Sequence, residues 1–142
     1  MHSKTQGITP ELITYLTWWF RSLSRLAPVH VTLGNHDGLV LNPDREDAIT
    51  PIINAIGDPN IHLYKKSGCY PLTSDGSYNL AVFSCFDEDG WDNVSPVPDS
   101  INIATYHGPV VGSETDSDWR LDSDIRADFF KQYDYVMLGD IH

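Results

Sequence analysis

The chain has 142 residues, of which 41% are hydrophobic and 20% charged, with a formal net charge of -11. That length suits one domain with a sizeable core, and no apolar run approaches the roughly 18 residues that suggest a membrane span. The acidic balance argues against a surface that wraps nucleic acid by phosphate neutralisation alone, so action on DNA would need positive charge from metal ions, further residues or a partner. Thr9-Pro10-Glu11 predicts a helix start, with a hydroxyl N-cap, proline at the first helical position and an acid in the first turn. Leu12, Leu16, Trp19 and Leu23 follow at helical spacing and predict one inward face, ended by Pro28. Trp18, Trp19 and Phe20 are expected mainly in the core, though three consecutive helical positions cannot share one face.

Residues 29–33 predict a buried strand that runs into the polar, glycine-rich loop Gly34-Asn35-His36-Asp37-Gly38. Asp44 to Ile56 predicts a second helix, with Pro51 near its first turn or at a kink, closed by the Gly57-Asp58-Pro59-Asn60 turn. Short β-type runs follow over residues 61–64, 69–72, 78–85, 101–106 and 135–138, with Ser74-Asp75-Gly76-Ser77 as a hairpin loop. Residues 87–100 predict a long loop, the acid-rich run from Glu114 to Asp128 a solvated segment, and residues 124–132 a helix covering the sheet. His30 and His62 lie inside strand-like segments and are expected to be structural. Lys65-Lys66 is too short a basic patch to argue DNA binding, and Cys69 and Cys85 are expected as free thiols. The mixed order predicts a layered α/β domain.

Three of the predicted strands stop at potential metal ligands flanked by glycine. The run over residues 29–33 ends at Gly34-Asn35-His36-Asp37, that over 101–106 at His107-Gly108, and that over 135–138 at Gly139-Asp140-Ile141-His142. Parallel strand ends line up along one edge of an α/β sheet, where ligands bind. Imidazole, amide oxygen and carboxylate suit a divalent ion such as Mn²⁺, Mg²⁺ or Fe²⁺, and the lack of thiolate argues against structural zinc. Glycine beside each ligand would let backbone and ion approach closely.

These three clusters resemble the last three motifs of the calcineurin-like metallophosphoesterases: GNH(D/E), an HG step, and G-x-x-H ending a strand. The resemblance implies a layered β-sandwich flanked by helices, with two divalent metal ions at the strand ends, Mn²⁺ first among them. It implies that Asn35, His107 and Asp140 bind one metal and His142 the other. His36 would be a general acid or charge donor to the phosphoryl group, and Asp37 would orient His36 or brace the loop. His2-Ser3-Lys4 before the first helix, and His107-Gly108-Pro109-Val110 followed by Gly112-Ser113, resemble the SbcD-type DNA repair nucleases in particular. That branch implies His2 as a contact to substrate phosphate, DNA ends as substrate for an exonuclease, an SbcC-like coiled-coil ATPase as partner, and a homodimer.

Two departures bear on the chemistry. The family has histidine where this chain has Asp140; aspartate still ligates, and its harder oxygen favours Mn²⁺ or Mg²⁺. The family's DxH motif and the bridging aspartate of its GDxxH motif would lie upstream of His2, so residues 1–142 are expected to be a partial domain. Such a piece is expected to bind at most one divalent ion, weakly, with little phosphodiesterase activity, and a full-length parent would be the active species. Two alternatives stand beside the nuclease: a general phosphoesterase or phosphatase of the same superfamily, and a non-catalytic module that lost its first metal motifs. Met1-His2-Ser3-Lys4 leads into polar residues and does not read as a signal peptide, so a cytoplasmic location is expected.

Overall fold

The computed structural model describes residues 8–140. Helix α1 spans Pro10–Ser24, and its start forms as the local chemistry dictates: Thr9 is the N-cap and its hydroxyl accepts the Leu12 N–H at 3.2 Å. The inward stripe is turned from the expected one. Phe20 and Ser24 are buried and Leu16 half-buried, whereas Leu12 and Trp19 are exposed and Trp18 is 61% exposed. Phe20 packs with Ile53 and Ile61, and with one ring of the aromatic triplet turned inward its two neighbours must point away.

Strand β1 (Val29–Thr32) leads to helix α2 (Thr50–Ile56) and strand β2 (Ile61–Tyr64). The second helix is shorter than the sequence pattern suggests. Asp47 caps the segment instead: its carboxylate accepts the Ile49 and Thr50 N–H groups and the Thr50 hydroxyl, at 2.6 to 2.9 Å. Residues 44–49 stay outside the helix, and Pro51 falls in the first turn, where its missing N–H costs nothing. Gly57, at φ 65°, closes the helix in the left-handed conformation that glycine adopts freely.

Strands β3 (Gly68–Pro71) and β4 (Tyr78–Phe83) form the expected hairpin, followed by β5 (Ile101–His107) and β6 (Tyr135–Gly139). The segment before β5 is not all loop: a 3₁₀ turn spans Glu88–Asn93, anchored by the Trp91 indole N–H on the Ser84 carbonyl at 2.9 Å. The helix expected over residues 124–132 reduces to a 3₁₀ turn at Ala127–Phe130. Both backbone groups of Ile125 are engaged elsewhere, its N–H on the Ser123 hydroxyl and its carbonyl on the Val111 N–H, so a longer helix cannot form through it. Most of the acid-rich residues from Glu114 to Asp128 lie on exposed loop, as expected.

The strands build two sheets. β1 and β2 pair in parallel, and β3-β4-β5-β6 form a second sheet, antiparallel between β3 and β4 and parallel from β4 through β6. Alternation along the strands sets the layers. Val29, Val31, Ile61 and Leu63 face the helices with Phe20 and Ile53. On the other face Tyr64 packs against Leu80 and Val82 of the second sheet. The far face of that sheet, with Ala81, Phe83 and Ala104, packs under Val94 and Phe130. The chain is therefore a mixed α/β fold with helices, sheet, sheet and 3₁₀ segments in succession. β1, expected as a buried strand, is half-buried on its helix-facing side, at Val29 and Val31, and exposed on the other, at His30 and Thr32. Among the described residues no helix is long and apolar enough to cross a membrane.

Candidate metal centre

β5 and β6 run in parallel with His107 opposite Gly139, so their C-terminal ends meet at one edge of the second sheet. β1 ends at the same place from the first sheet. The result is a cluster of three side chains from sequence-distant strand ends. His107 Nε2 lies 3.1 Å from Asn35 Oδ1 and 3.4 Å from Asp140 Oδ1. An amide oxygen only accepts, so this geometry puts the proton on Nε2, donating to Asn35. An amide oxygen and a carboxylate oxygen thus both face one imidazole nitrogen.

Local backbone chemistry aims these groups. Asp140 has φ 77°, a left-handed conformation that costs a non-glycine residue energy and that aspartate tolerates better than most. Asp37 braces the Asn35 loop: its carboxylate accepts the Gly34 N–H at 2.7 Å, and its own N–H donates to the Gly34 carbonyl at 3.0 Å. The loop is tied to the segment before α2 by the Ala48 N–H, which donates to the Asp37 carbonyl at 2.7 Å, and beside it the Asp47 side chain is fully buried and paired with Lys65 Nζ at 3.3 Å. Burial by itself would raise the Asp47 pKa, but bonds from the Thr50 hydroxyl and N–H, the Ile49 N–H and Lys65 outweigh it and hold the carboxyl below its usual range.

Of the residues singled out from sequence, Asn35, His107 and Asp140 are brought together. Asp37 stands beside them as the brace of the loop, and His36 is exposed on that loop. His2 and His142 lie outside the described residues. Two further residues share the neighbourhood. The Cys85 thiol is pushed up to about 11, chiefly by burial, with the carboxylates of Asp37, Glu88 and Asp140 adding to the effect. Tyr106 is raised by burial and then by Glu88 and Asp140. Glu88 therefore contributes to a negative field around the strand ends, which favours a cation there. In sequence Glu88 is one acid among several in a loop, and only the 3₁₀ turn carries it to this edge.

A stretch of protein R555 of Acanthamoeba polyphaga mimivirus, itself uncharacterized, is 38% identical to this chain over 156 aligned residues. The alignment covers the whole of this chain and 11% of the viral protein, so the chain spans about a ninth of that relative's length. No family model matches the chain. No solved structure matches it.

The donor set has the composition of a site for a divalent ion of borderline-to-hard character. Among the described residues no three His, Cys, Asp or Glu side chains gather closely enough to hold a metal ion. The strand-end cluster has two such side chains, with the Asn35 amide as its third donor. Three donors leave half the positions of an octahedral ion to water, substrate or other residues. Beneath the cluster, between the sheets, lies a cavity of about 10 Å³ lined by Thr32, Leu33, Tyr64, Val82 and His107 among others, about the size of one water.

Proposed function

We propose that the chain is part of a calcineurin-like metallophosphoesterase, in which Asn35, His107 and Asp140 hold one divalent ion of a phosphodiester-cleaving centre. The observation that carries this reading is the convergence of Asn35 Oδ1 and Asp140 Oδ1 on His107 Nε2 from three separate strand ends. The succession of helices, sheet and sheet supports it, as does the match of three strand-end motifs in the family's order. A bound divalent ion would supply Lewis-acid polarisation of a phosphoryl oxygen and a nucleophile at neutral pH. The chain's own contribution is positional: Asn35, His107 and Asp140 present their donors from three strand ends, Asp37 holds the loop, and the exposed His36 would donate to a phosphoryl oxygen.

The finer reading is a DNA repair exonuclease of SbcD type, active as a longer polypeptide in which upstream residues and His142 complete a second ion. A coiled-coil ATPase and a second copy would be its partners. The -11 charge of the chain bears on this reading, because an acidic surface requires the metal centre or a partner to draw in phosphate. A general phosphoesterase is the second reading, favoured by that same charge.

Calorimetric titration of this chain with Mn²⁺ tests the metal reading, the expected outcome being one weak site and no second one. Two tight sites per chain, or none at all, would overturn it. Cleavage of 3′-ended duplex DNA against p-nitrophenyl phosphate by the longer parent in Mn²⁺ separates nuclease from general phosphoesterase. Hydrolysis of the nitrophenyl ester alone would sink the nuclease reading.

A further inference from the structure

His107 is gripped by main chain on two sides. A Cβ added at Gly34 would lie 2.7 Å from His107 Cε1, 2.9 Å from Nε2 and 3.1 Å from Nδ1. A Cβ added at Gly139 would lie 2.6 Å from Nδ1 and 3.4 Å from Cε1. Contacts under about 3 Å are closer than carbon and nitrogen tolerate without displacement. Neither glycine has the positive φ of Gly57, Gly76 or Gly112, so what is needed at these two positions is space and not a glycine-only backbone. The space is used by one ring, whose Nε2 then meets both Asn35 and Asp140.

We infer that Gly34 and Gly139 are positioning residues that form a slot for the His107 imidazole, one wall from the exit of β1 and the other from the end of β6. The slot ties the two sheets to a single ring orientation. A side chain with two torsions cannot leave the slot and keep Nε2 at the same point, so a methyl group on either wall displaces the ring from its oxygen partners. Glycine here acts on the imidazole and not on the approach of an ion to the backbone. The functional consequence rests on the metal reading above; the slot itself does not.

A double-mutant cycle on the full chain tests this without metal. Gly34→Ala is expected to lower the Tm by about 4 °C when His107 is present. In the His107→Ala background, where the ring is gone, the same substitution is expected to shift the Tm by about 1 °C or less. Gly139→Ala should behave likewise. Equal shifts in both backgrounds would overturn the slot, since the glycine would then serve the backbone alone. If Gly34→Ala fails to fold, recovery of folding in Gly34→Ala/His107→Ala supports the slot and continued failure overturns it. In a second arm, Gly34→Ala should weaken Mn²⁺ binding about tenfold, and His107 ring resonances should shift in the NMR spectrum. Coupling in the cycle with no Mn²⁺ binding by the unmodified chain would leave the slot standing and remove the metal reading.

Discussion

β1 carries a histidine-containing cluster at each end, and the two differ in what surrounds the imidazole. At its exit, His107 sits between glycines with an amide oxygen and a carboxylate on one nitrogen. Near its start, His30 stacks on His62 of β2 at 4.9 Å and its Nδ1 meets the Tyr64 hydroxyl at 2.8 Å. The first arrangement gathers oxygen donors and negative charge, so a cation is favoured. The second gathers aromatic faces and a second basic ring, so an added proton is disfavoured. Partial desolvation of the ring within the stack, and then the neighbouring His62, lower the His30 pKa from its usual 6.5. Residue type alone therefore does not separate these two histidines; the partners do.

The largest effect should come from the support under the His107 end. Asp47→Ala leaves Lys65 without its buried partner and strips the cap from α2, and is expected to lower the unfolding free energy by about 3 kcal/mol in urea denaturation. Because the Asp47 pKa is depressed in the fold, its contribution is present above its usual 3.8 and is lost as pH falls through the lower folded value. A loss under about 1 kcal/mol would mean that the loop does not depend on this pair.

Removing each histidine in turn sets the two clusters directly against each other. His107→Ala should reduce Mn²⁺ affinity at least about tenfold, or about 1.4 kcal/mol, by calorimetry. His30→Ala should leave that affinity unchanged. Equal losses would erase the distinction between the two histidines.

The smallest effect concerns the proton. In the unfolded chain His30 titrates at about its usual 6.5, and in the fold it titrates lower. Between those values the unfolded state binds more protons, so stability is full above 6.5 and falls as pH drops below it. His30→Phe keeps a ring on the stack and removes the proton site. It should flatten the fall in Tm between about pH 7.5 and about pH 5. An unchanged pH profile would show that the stack does not resist protonation.

Much of this could be read before folding was considered. The cap at Thr9, the hairpin at residues 74–77 and the strand runs depend on neighbours a few residues away, and they form close to where the pattern puts them. The helical patterns over 44–56 and 124–132 run past the elements that form, for the same reason. Asp47 and Ser123 offer side-chain oxygens that take backbone N–H groups out of the helix, and composition does not show which oxygens will do so. The inward face of α1 also escaped the pattern, since Leu12, Trp19 and Phe20 are all apolar and only the position of Ile53 and Ile61 selects Phe20.

At the strand ends the residue types are legible in the chain alone: amide, imidazole and carboxylate, each after an apolar run and beside glycine. What the glycines are for emerges only from packing. Gly34 and Gly139 are 105 positions apart by their numbers, and only the docking of β1 and β6 against His107 turns two missing side chains into the walls of one slot. Close contact between distant segments is a property of packing, and no local spacing encodes it.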